Sequence, residues 1–243
     1  MPQSLKNLVL NIFFPPACLT CEKGLVKDDK YQLVCGECFV GIPLYNSLFC
    51  SICLKRLPPV NGQMSMVKCH DEALYLLAPA ANYSDPRIQK LIWQMKYKNW
   101  LTAAEPIGDL LTAYCHNLSR NLDLSKYIVV PVPLYPKREL KRGFNQAAIL
   151  ANVIGKRFFL PLEKNNLIRV KDTKTQTDLK DYQAREENLR GAFQITDSAA
   201  LKNKNIVLVD DVFTSGATLN EAARVLNSAG AKKILALVVA RAR

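Results

Sequence analysis

Apolar runs of strand length recur through the last two thirds of the chain, and a helical pattern of apolar positions separates them. Such runs predict buried strands, and they lie at 74–83, 127–132, 206–210 and 234–240. Spacings of three and four residues predict amphipathic helices, which we place after Asp85 and at 102–118, 145–158 and 217–227. Because the strands are apolar on both faces, we predict a parallel sheet covered by helices on both sides.

The first 72 residues lack this periodicity and contain seven of the eight cysteines. Prolines are frequent there, and a segment this short builds only a small apolar core, so a bound metal would supply the missing folding energy. An odd number of clustered cysteines is a poor disulfide framework, and no pattern typical of a secretory leader precedes them. We therefore predict a cysteine-rich module at residues 1–72 and a second domain at residues 73–243.

Two groups of cysteines have the spacing of metal ligands. The first group offers four thiolates suited to a structural Zn²⁺, with a redox dithiol as the alternative; it comprises Cys18, Cys21, Cys35 and Cys38. The second group is Cys50, Cys53 and Cys69, where Glu72 stands at the position expected for a fourth cysteine. Either Glu72 or His70 could complete a weaker site, or these thiols are free. Cys115 lies on an apolar helical stripe, which is typical of core packing.

The second predicted domain is strongly basic. The chain has 33 Lys and Arg against 21 Asp and Glu, a net charge of +12. Residues 1–78 carry 7 basic and 6 acidic side chains, so nearly all of the excess lies beyond them. This favours a polyanionic partner, either nucleic acid or a phosphorylated small molecule, although a solvated basic surface explains the charge equally well. The apolar runs are too short to span a membrane, and we expect a soluble, cytoplasmic protein.

The stretch IVLVDDVFTSGATL at 206–219 predicts a strand, two carboxylates, a turn of small residues and a helix start. The strand would carry Asp210 and Asp211 to the carboxyl edge of the sheet, where open α/β folds bind ligands. Successive side chains of a strand point in opposite directions, so both acids face a ligand only if the strand ends there. Backbone N–H groups of the turn suit a phosphate, and the carboxylates suit ribose hydroxyls or Mg²⁺. The alternative is a plain strand–turn–helix junction in which the aspartates act as caps.

This stretch resembles the phosphoribosyl-pyrophosphate (PRPP) signature of type I phosphoribosyltransferases. Three further segments resemble the ComF family (ComFC/GntX-like proteins): PVPLYPKRELKRGFNQ at 131–146, RVKDTKTQTDLKDYQAREENLRGAF at 169–193, and the N-terminal cysteine pairs. The resemblance implies an α/β fold, with a parallel-sheet phosphoribosyltransferase-like domain and a small N-terminal double zinc ribbon.

The resemblance also implies roles for individual residues. Asp210 and Asp211 would be the catalytic pair, binding the ribose hydroxyls and helping to place Mg²⁺. The residues that would wrap the 5′-phosphate are Thr214, Ser215, Gly216, Ala217 and Thr218. Those beside the pyrophosphate would be Lys137 and Arg138, and the rest of that motif is Arg142, Gly143, Asn145 and Gln146. A mobile flap over the substrate would include Arg169, Thr173, Gln176, Arg185 and Asn188.

The reaction implied by the resemblance is displacement of pyrophosphate from PRPP by a nitrogen nucleophile. Thr214 stands where purine-type relatives have an acidic general base, which argues against a hypoxanthine-type enzyme. The resemblance associates the chain with imported single-stranded DNA in natural transformation, with a DNA-translocating helicase as a possible partner, and it makes a homodimer possible. The alternatives are a metabolic phosphoribosyltransferase with an unidentified acceptor, and a PRPP-gated binding protein without catalysis.

Aromatic residues and lysines alternate near the first predicted helix, at Lys90, Trp93, Lys96, Tyr97, Lys98 and Trp100. This mixture is typical of single-stranded nucleic-acid binding, where cations meet phosphates and rings stack on bases. The other interpretation is an amphipathic helix whose aromatics pack inward and whose lysines are solvated. Its apolar stripe would consist of Ile88, Leu91, Ile92 and Met95.

Overall fold

The structure of the protein is a computed structural model that describes residues 16–26, 28–58, 67–98, 100–120, 122–173 and 182–242. Within these residues the helices are α1 (Gly36–Val40), α2 (Pro86–Tyr97), α3 (Trp100–Ser119), α4 (Pro136–Arg142), α5 (Gln146–Phe158), α6 (Tyr182–Leu189) and α7 (Ala217–Ser228). The strands are β1 (Phe49–Cys50), β2 (Leu76–Asn82), β3 (Tyr127–Pro131), β4 (Leu167–Arg169), β5 (Phe193–Ile195), β6 (Asn205–Phe213) and β7 (Lys233–Arg241).

Five of the strands form one sheet in the order β1-β2-β7-β6-β3. The four long strands are parallel, and β1 adds to β2 as a short antiparallel edge. The α/β fold and the parallel sheet predicted from the apolar runs are therefore confirmed. Strands β4 and β5 form a separate antiparallel pair. In the main sheet β3 pairs with β6 only as far as Pro131 opposite Val209, so β6 continues beyond the end of its neighbour.

Helices cover both faces of the sheet because the strands are apolar on both faces. On β6, Val207 and Val209 pack into a core shared with α2, α3 and α5, whereas Ile206 and Leu208 pack into a second core shared with α7. All four of these side chains are at most 2% exposed. Complete burial of a side chain of this size contributes about 1.5–3 kcal/mol, so the two cores fix the position of the strand that carries the acid pair.

The start of α2 follows from its sequence. Asp85 accepts a hydrogen bond from the backbone N–H of Arg87, and Pro86 occupies the first turn, where no intrahelical donor is lost. The predicted apolar stripe is confirmed, since Ile88, Leu91, Ile92 and Met95 are each at most 1% exposed. The burial of this stripe holds the carboxyl end of α2 against the carboxyl edge of the sheet.

The cysteine-rich segment packs on the same core as the sheet. Strand β1 is hydrogen-bonded to β2, and Cys18, Tyr31 and Leu57 belong to the core that α2 and α3 build. The Tyr31 hydroxyl donates to an Asp109 carboxylate oxygen at 2.7 Å. The segment thus uses apolar surface of the larger part of the chain, and the division at residues 72 and 73 stays a prediction. Among the described residues, no helix combines the length and apolar character needed to cross a membrane.

Candidate functional site

A cleft of about 770 Å³ opens at the carboxyl ends of β3 and β6. Its walls come from the end of α2, the segment after β3, the α4–α5 junction, β4, α6 and the turn before α7. The lining residues are Lys96, Tyr97, Lys98, Val132, Pro133, Leu134, Arg138, Lys141, Arg142, Phe144, Asn145, Gln146, Arg169, Arg185, Asp210, Asp211, Val212, Thr214 and Thr218. The cleft therefore combines two acids with a surrounding excess of cations.

Asp210 and Asp211 both line the cleft, although β6 does not end there as the sequence argument required. The strand runs on to Phe213. Its neighbour β3 stops at Pro131, opposite Val209, so the acid pair lies just beyond the last residue that β3 covers. The end of the adjacent strand, rather than of β6 itself, opens space around the two carboxylates.

Asp211 is held by two donors on the same oxygen. The Lys96 ammonium lies 2.9 Å from Oδ2, and the Gln146 side-chain amide donates to Oδ2 at 2.8 Å. Arg142 donates to the Gln146 carbonyl oxygen at 2.6 Å, which orients that amide. Burial alone would lower the pKa of Lys96, but the negative charge of Asp211 raises it above its ordinary value. Lys96 is therefore a cation inside the site.

Asp210 is less fully paired than Asp211. One of its oxygens accepts the backbone N–H of Asp211 at 2.8 Å. Burial, and then the charge of Asp211, raise the pKa of Asp210 to about 7, against the opposing effect of Lys96 and Arg169. A carboxylate held at this cost in a cleft is typical of a ligand-binding or catalytic group.

The turn after β6 lies between the acid pair and the start of α7. Thr214 and Thr218 line the cleft, whereas Ser215, Gly216 and Ala217 are buried behind them. Gly216 has φ +83°, and a Cβ there would lie 2.9 Å from the Phe213 ring. Glycine is needed at this position on both counts. The turn leads directly into α7, whose first backbone N–H groups and dipole favour an anion.

The arginines of the predicted pyrophosphate and flap motifs surround the acids. Arg138, Arg142, Arg169 and Arg185 all line the cleft. Arg169 is largely desolvated, and burial together with the charge of Arg138 lowers its pKa to about 10. Such a pKa still leaves the guanidinium charged at neutral pH, so the cleft presents several cations to an anionic ligand.

The structure does not bring every predicted residue to the cleft. Lys137 is exposed on α4, and Gly143 ends that helix with φ +86°. The residues that line the cleft do not include Lys137, Gly143 or Asn188. Thr173 is buried and binds two arginines instead, because its carbonyl accepts from Arg138 and its hydroxyl from Arg169. Gln176 lies outside the described residues.

The residues that sequence reasoning missed come mainly from α2. Lys96 lies eight residues after Ile88, a position on the buried face of a helix whose stripe also includes the third, fourth and seventh residues. A lysine at such a position was the available signal. The expectation that the aromatics pack inward is wrong, since Trp93 is 51% exposed and Tyr97 is 64% exposed. Tyr97 and Lys98 instead line the mouth of the cleft.

Two clusters in the cysteine-rich segment could each hold a metal ion. Within each cluster the ligand atoms lie within 4.8 Å of one another. The first cluster is Cys18, Cys21, Cys35 and Cys38, and the second is Cys50, Cys53, Cys69 and His70. The imidazole Nδ1 of His70 lies 3.2 Å from the sulfur of Cys69 and 3.4 Å from that of Cys50. Of the two candidates for a fourth ligand, His70 rather than Glu72 is the one whose ligand atom lies among the three sulfurs. Glu72 lines a different cleft, beside Arg190 and Arg224.

The thiols of the first cluster are poised for a divalent metal. Burial opposes ionisation of Cys18, but backbone hydrogen bonds from Cys21, Cys35 and Thr20 outweigh it and lower its pKa to about 6. Burial and the neighbouring sulfurs raise the pKa of Cys38 to about 12. Four thiols in such contact cannot all ionise unless a cation lies among them, because neighbouring thiolates repel one another. Sets of four thiolates, and of three thiolates with one imidazole, fit tetrahedral Zn²⁺.

The class of protein follows from a family model that matches more than half of the chain. Residues 101–243 match the family model described as "Phosphoribosyl transferase domain". Glutamine PRPP amidotransferase from Bacillus subtilis, solved with ADP and GMP, is 18% identical with a TM-score of 0.39, over 60% of this chain and 30% of that one.

Two relatives match nearly the full length. Competence protein F of Haemophilus influenzae is 30% identical over 93% of this chain and 90% of its own. DNA utilization protein YhgH of Escherichia coli is 28% identical over 89% of this chain and 86% of its own. The chain belongs to the ComF family of competence proteins, with a phosphoribosyl transferase domain.

Proposed function

We propose that the protein binds PRPP in the cleft and takes part in the handling of DNA during competence. The observation that carries the first half is the juxtaposition of Asp210 and Asp211 with the turn at 214–218, at the start of α7. A 5′-phosphate would bind the turn, the ribose hydroxyls would bind the acids, and the pyrophosphate would lie among Arg138, Arg169 and the segment after β3. Mg²⁺ bound with PRPP would neutralise the pyrophosphate, and Asp210 is the carboxylate placed to help hold it.

The reaction that this arrangement supports is transfer of the phosphoribosyl group to nitrogen. The lone pair of the acceptor nitrogen forms a bond to the anomeric carbon, and the bond to the pyrophosphate oxygen breaks, so that pyrophosphate leaves with the electron pair and the nitrogen loses a proton to solvent. The arginines stabilise the negative charge that develops on the leaving oxygen, and the turn and acids hold the ribose in place. A PRPP-gated binding protein without transfer remains the alternative.

Calorimetric titration of PRPP with Mg²⁺ tests the site. Asp210→Asn should weaken binding about 10- to 100-fold, since each lost hydrogen bond to a charged group contributes about 1.5–3 kcal/mol. Asp123→Asn is the matched control, because that carboxylate is half-exposed, lies on the surface with Lys126 and accepts from the Ser125 backbone N–H, which an asparagine side chain can still do. Equal affinity in Asp210→Asn and wild type would refute the assignment. Pyrophosphate release in an acceptor screen then separates a transferase from a binding protein.

A separate observation favours DNA as the second ligand. We use the term aromatic rim for Trp93, Tyr97, Lys98, Lys141 and Arg142, of which all but Trp93 line the mouth of the cleft. The two rings lie 6.1 Å apart, the Lys98 ammonium lies 5.6 Å from the Trp93 ring, and the Arg142 guanidinium lies 5.9 Å from the Tyr97 ring. Exposed rings among cations suit the bases and phosphates of a single strand. The name of the Escherichia coli relative points the same way.

Fluorescence anisotropy with labelled oligothymidylate tests the aromatic rim. The double variant Trp93→Ala/Tyr97→Ala should bind about 10-fold or more weakly, because stacking contributes about 1–3 kcal/mol per base. Phe159→Ala is the control, since that ring is 92% exposed at the far end of α5. Wild-type affinity should fall steeply with salt. An unchanged affinity in the double variant would exclude the aromatic rim as the DNA surface. Sedimentation and co-purification test the homodimer and the DNA-translocating helicase that complete this proposal.

A further inference from the structure

Lys96 brings a positive charge to the acid pair from outside the matched domain. The match to the phosphoribosyl transferase domain begins at residue 101, and α2, which carries Lys96, ends at Tyr97. The Lys96 side chain is 22% exposed and that of Asp211 is 7% exposed, so the ion pair of 2.9 Å is largely shielded from water. The exposed part of Lys96 belongs to the lining of the cleft. The Lys96 ammonium is therefore held by Asp211, in a residue that lines the cleft where a ligand would lie.

The ion pair with Lys96 gives Asp210 and Asp211 different roles in the cleft. Oδ2 of Asp211 already accepts both Lys96 and Gln146, so its charge is largely balanced within the protein. Asp210 keeps a carboxylate in the cleft whose charge the protein compensates less, as its raised pKa also indicates. An ammonium has three donors, and its pairing with Asp211 leaves donors for an anion in the cleft. Lys96 is thus placed to bind both its carboxylate partner and a phosphoryl or pyrophosphoryl oxygen.

We propose that Lys96 is a ligand-binding residue of the cleft, and that its charge lets the acid pair bind an anionic phosphoribosyl ligand with reduced dependence on a divalent cation. The proposal rests on the proposed function, since it concerns the same ligand. A cation supplied by the protein lowers the repulsion between PRPP and the two carboxylates, which is the role otherwise left to Mg²⁺. Unlike a bound ion, Lys96 cannot dissociate from the site, and its ion pair with Asp211 keeps the ammonium in place.

The experiment is calorimetric titration of PRPP in two buffers, one with Mg²⁺ and one with EDTA. Wild type should bind PRPP in both, with an affinity in EDTA about 10-fold lower at most. Lys96→Met should lose about 10-fold or more in EDTA, and less in Mg²⁺, where the added cation compensates. Lys96→Arg keeps the charge and should bind like wild type. Lys126→Met is the control, because it also removes one charge and one ion pair, on the surface with Asp123.

Each result decides between the two proposals. If wild type fails to bind PRPP even with Mg²⁺, the proposed function fails before Lys96 is tested. If wild type binds with Mg²⁺ but not in EDTA, or if Lys96→Met binds like wild type in both buffers, the role of Lys96 is overturned. Because Lys96→Met leaves Asp211 buried and unpaired, its fold is checked by circular dichroism. If it unfolds, Lys96→Gln, whose amide can still donate to Asp211, replaces it with the same expected loss in EDTA.

Discussion

Asp210→Asn is expected to stabilise the protein while it weakens PRPP binding. The pKa of Asp210 rises from 3.8 to about 7 on folding, because the site buries the carboxyl beside Asp211. The folded protein therefore binds this proton more tightly than the unfolded chain does. Its contribution to stability is fully present below pH 3.8, and it is lost as the pH rises to about 7. Asparagine has the same shape as aspartate but does not ionise, so Asp210→Asn removes this loss of stability.

The magnitude follows from the same pKa. Each tenfold change in proton affinity corresponds to about 1.4 kcal/mol, so ionising Asp210 costs the fold up to about 3 kcal/mol at pH 6 and about 4 kcal/mol at pH 8. These values are ceilings, because water in the cleft screens the charge. For a chain of this size 1 kcal/mol changes the Tm by about 2–4 °C. The gain from Asp210→Asn should therefore be larger at pH 8 than at pH 6 by about 1 kcal/mol in stability, or about 2–4 °C in Tm.

Scanning fluorimetry of wild type and variant in the two buffers measures this difference. Asp211→Asn is the matched comparison and should have the opposite sign, since it leaves the shielded Lys96 ammonium without its carboxylate; breaking a buried pair in this way costs about 3–5 kcal/mol. The reasoning is refuted if Asp210→Asn lowers the Tm at pH 8, or if its effect is the same at both pH values. A gain in stability together with lost PRPP binding would mark Asp210 as a residue kept for binding.

Two further predictions concern the metal clusters and the turn before α7. Purified protein should contain two zinc ions per chain by elemental analysis. His70→Ala should reduce this number to one, whereas Glu72→Ala and Cys115→Ser should leave it at two. Two zinc ions in His70→Ala would contradict His70 as a ligand. Gly216→Ala should destabilise the protein by about 2–4 kcal/mol in denaturant titration, from left-handed backbone strain and overlap with a phenylalanine ring. Gly36→Ala, where a Cβ meets no atom within 4 Å in a helix, should change stability by less than about 1 kcal/mol, and similar losses in both would refute the steric argument.

The sequence predicts the main sheet and its helices well because burial on both faces leaves continuous apolar runs. The short strands cannot be predicted in this way. Strand β1 has two residues and β4 has three, too few for any periodicity, and their pairing depends on partners far along the chain. The metal clusters were visible from spacing alone, but the choice of His70 over Glu72 depends on how the chain turns after Cys69.

The candidate site was predicted in part for a similar reason. The acids and the turn at 214–218 form one continuous motif, so local sequence identifies them. The local pattern shows only that Lys96 lies on the buried face of its helix; its contact with Asp211 depends on how α2 packs against the sheet. The interpretation in which the aromatics pack inward is wrong, because Trp93 and Tyr97 fall five and nine residues after Ile88, off the buried stripe. The predicted stripe of this helix already placed them away from the core.

Strand β1 connects the second cysteine cluster to the edge of the main sheet. Cys50 pairs with Leu76 at the edge of the sheet, and its sulfur belongs to the second metal cluster. Loss of a bound ion would remove one restraint on this two-residue strand, which burial of Phe49 and Cys50 also holds. Any fraying of β1 would expose the outer hydrogen-bonding groups of β2 as an open edge available to other chains. Metal supply during synthesis would then set how much of the newly made protein stays in solution, apart from any role of the ion in ligand binding.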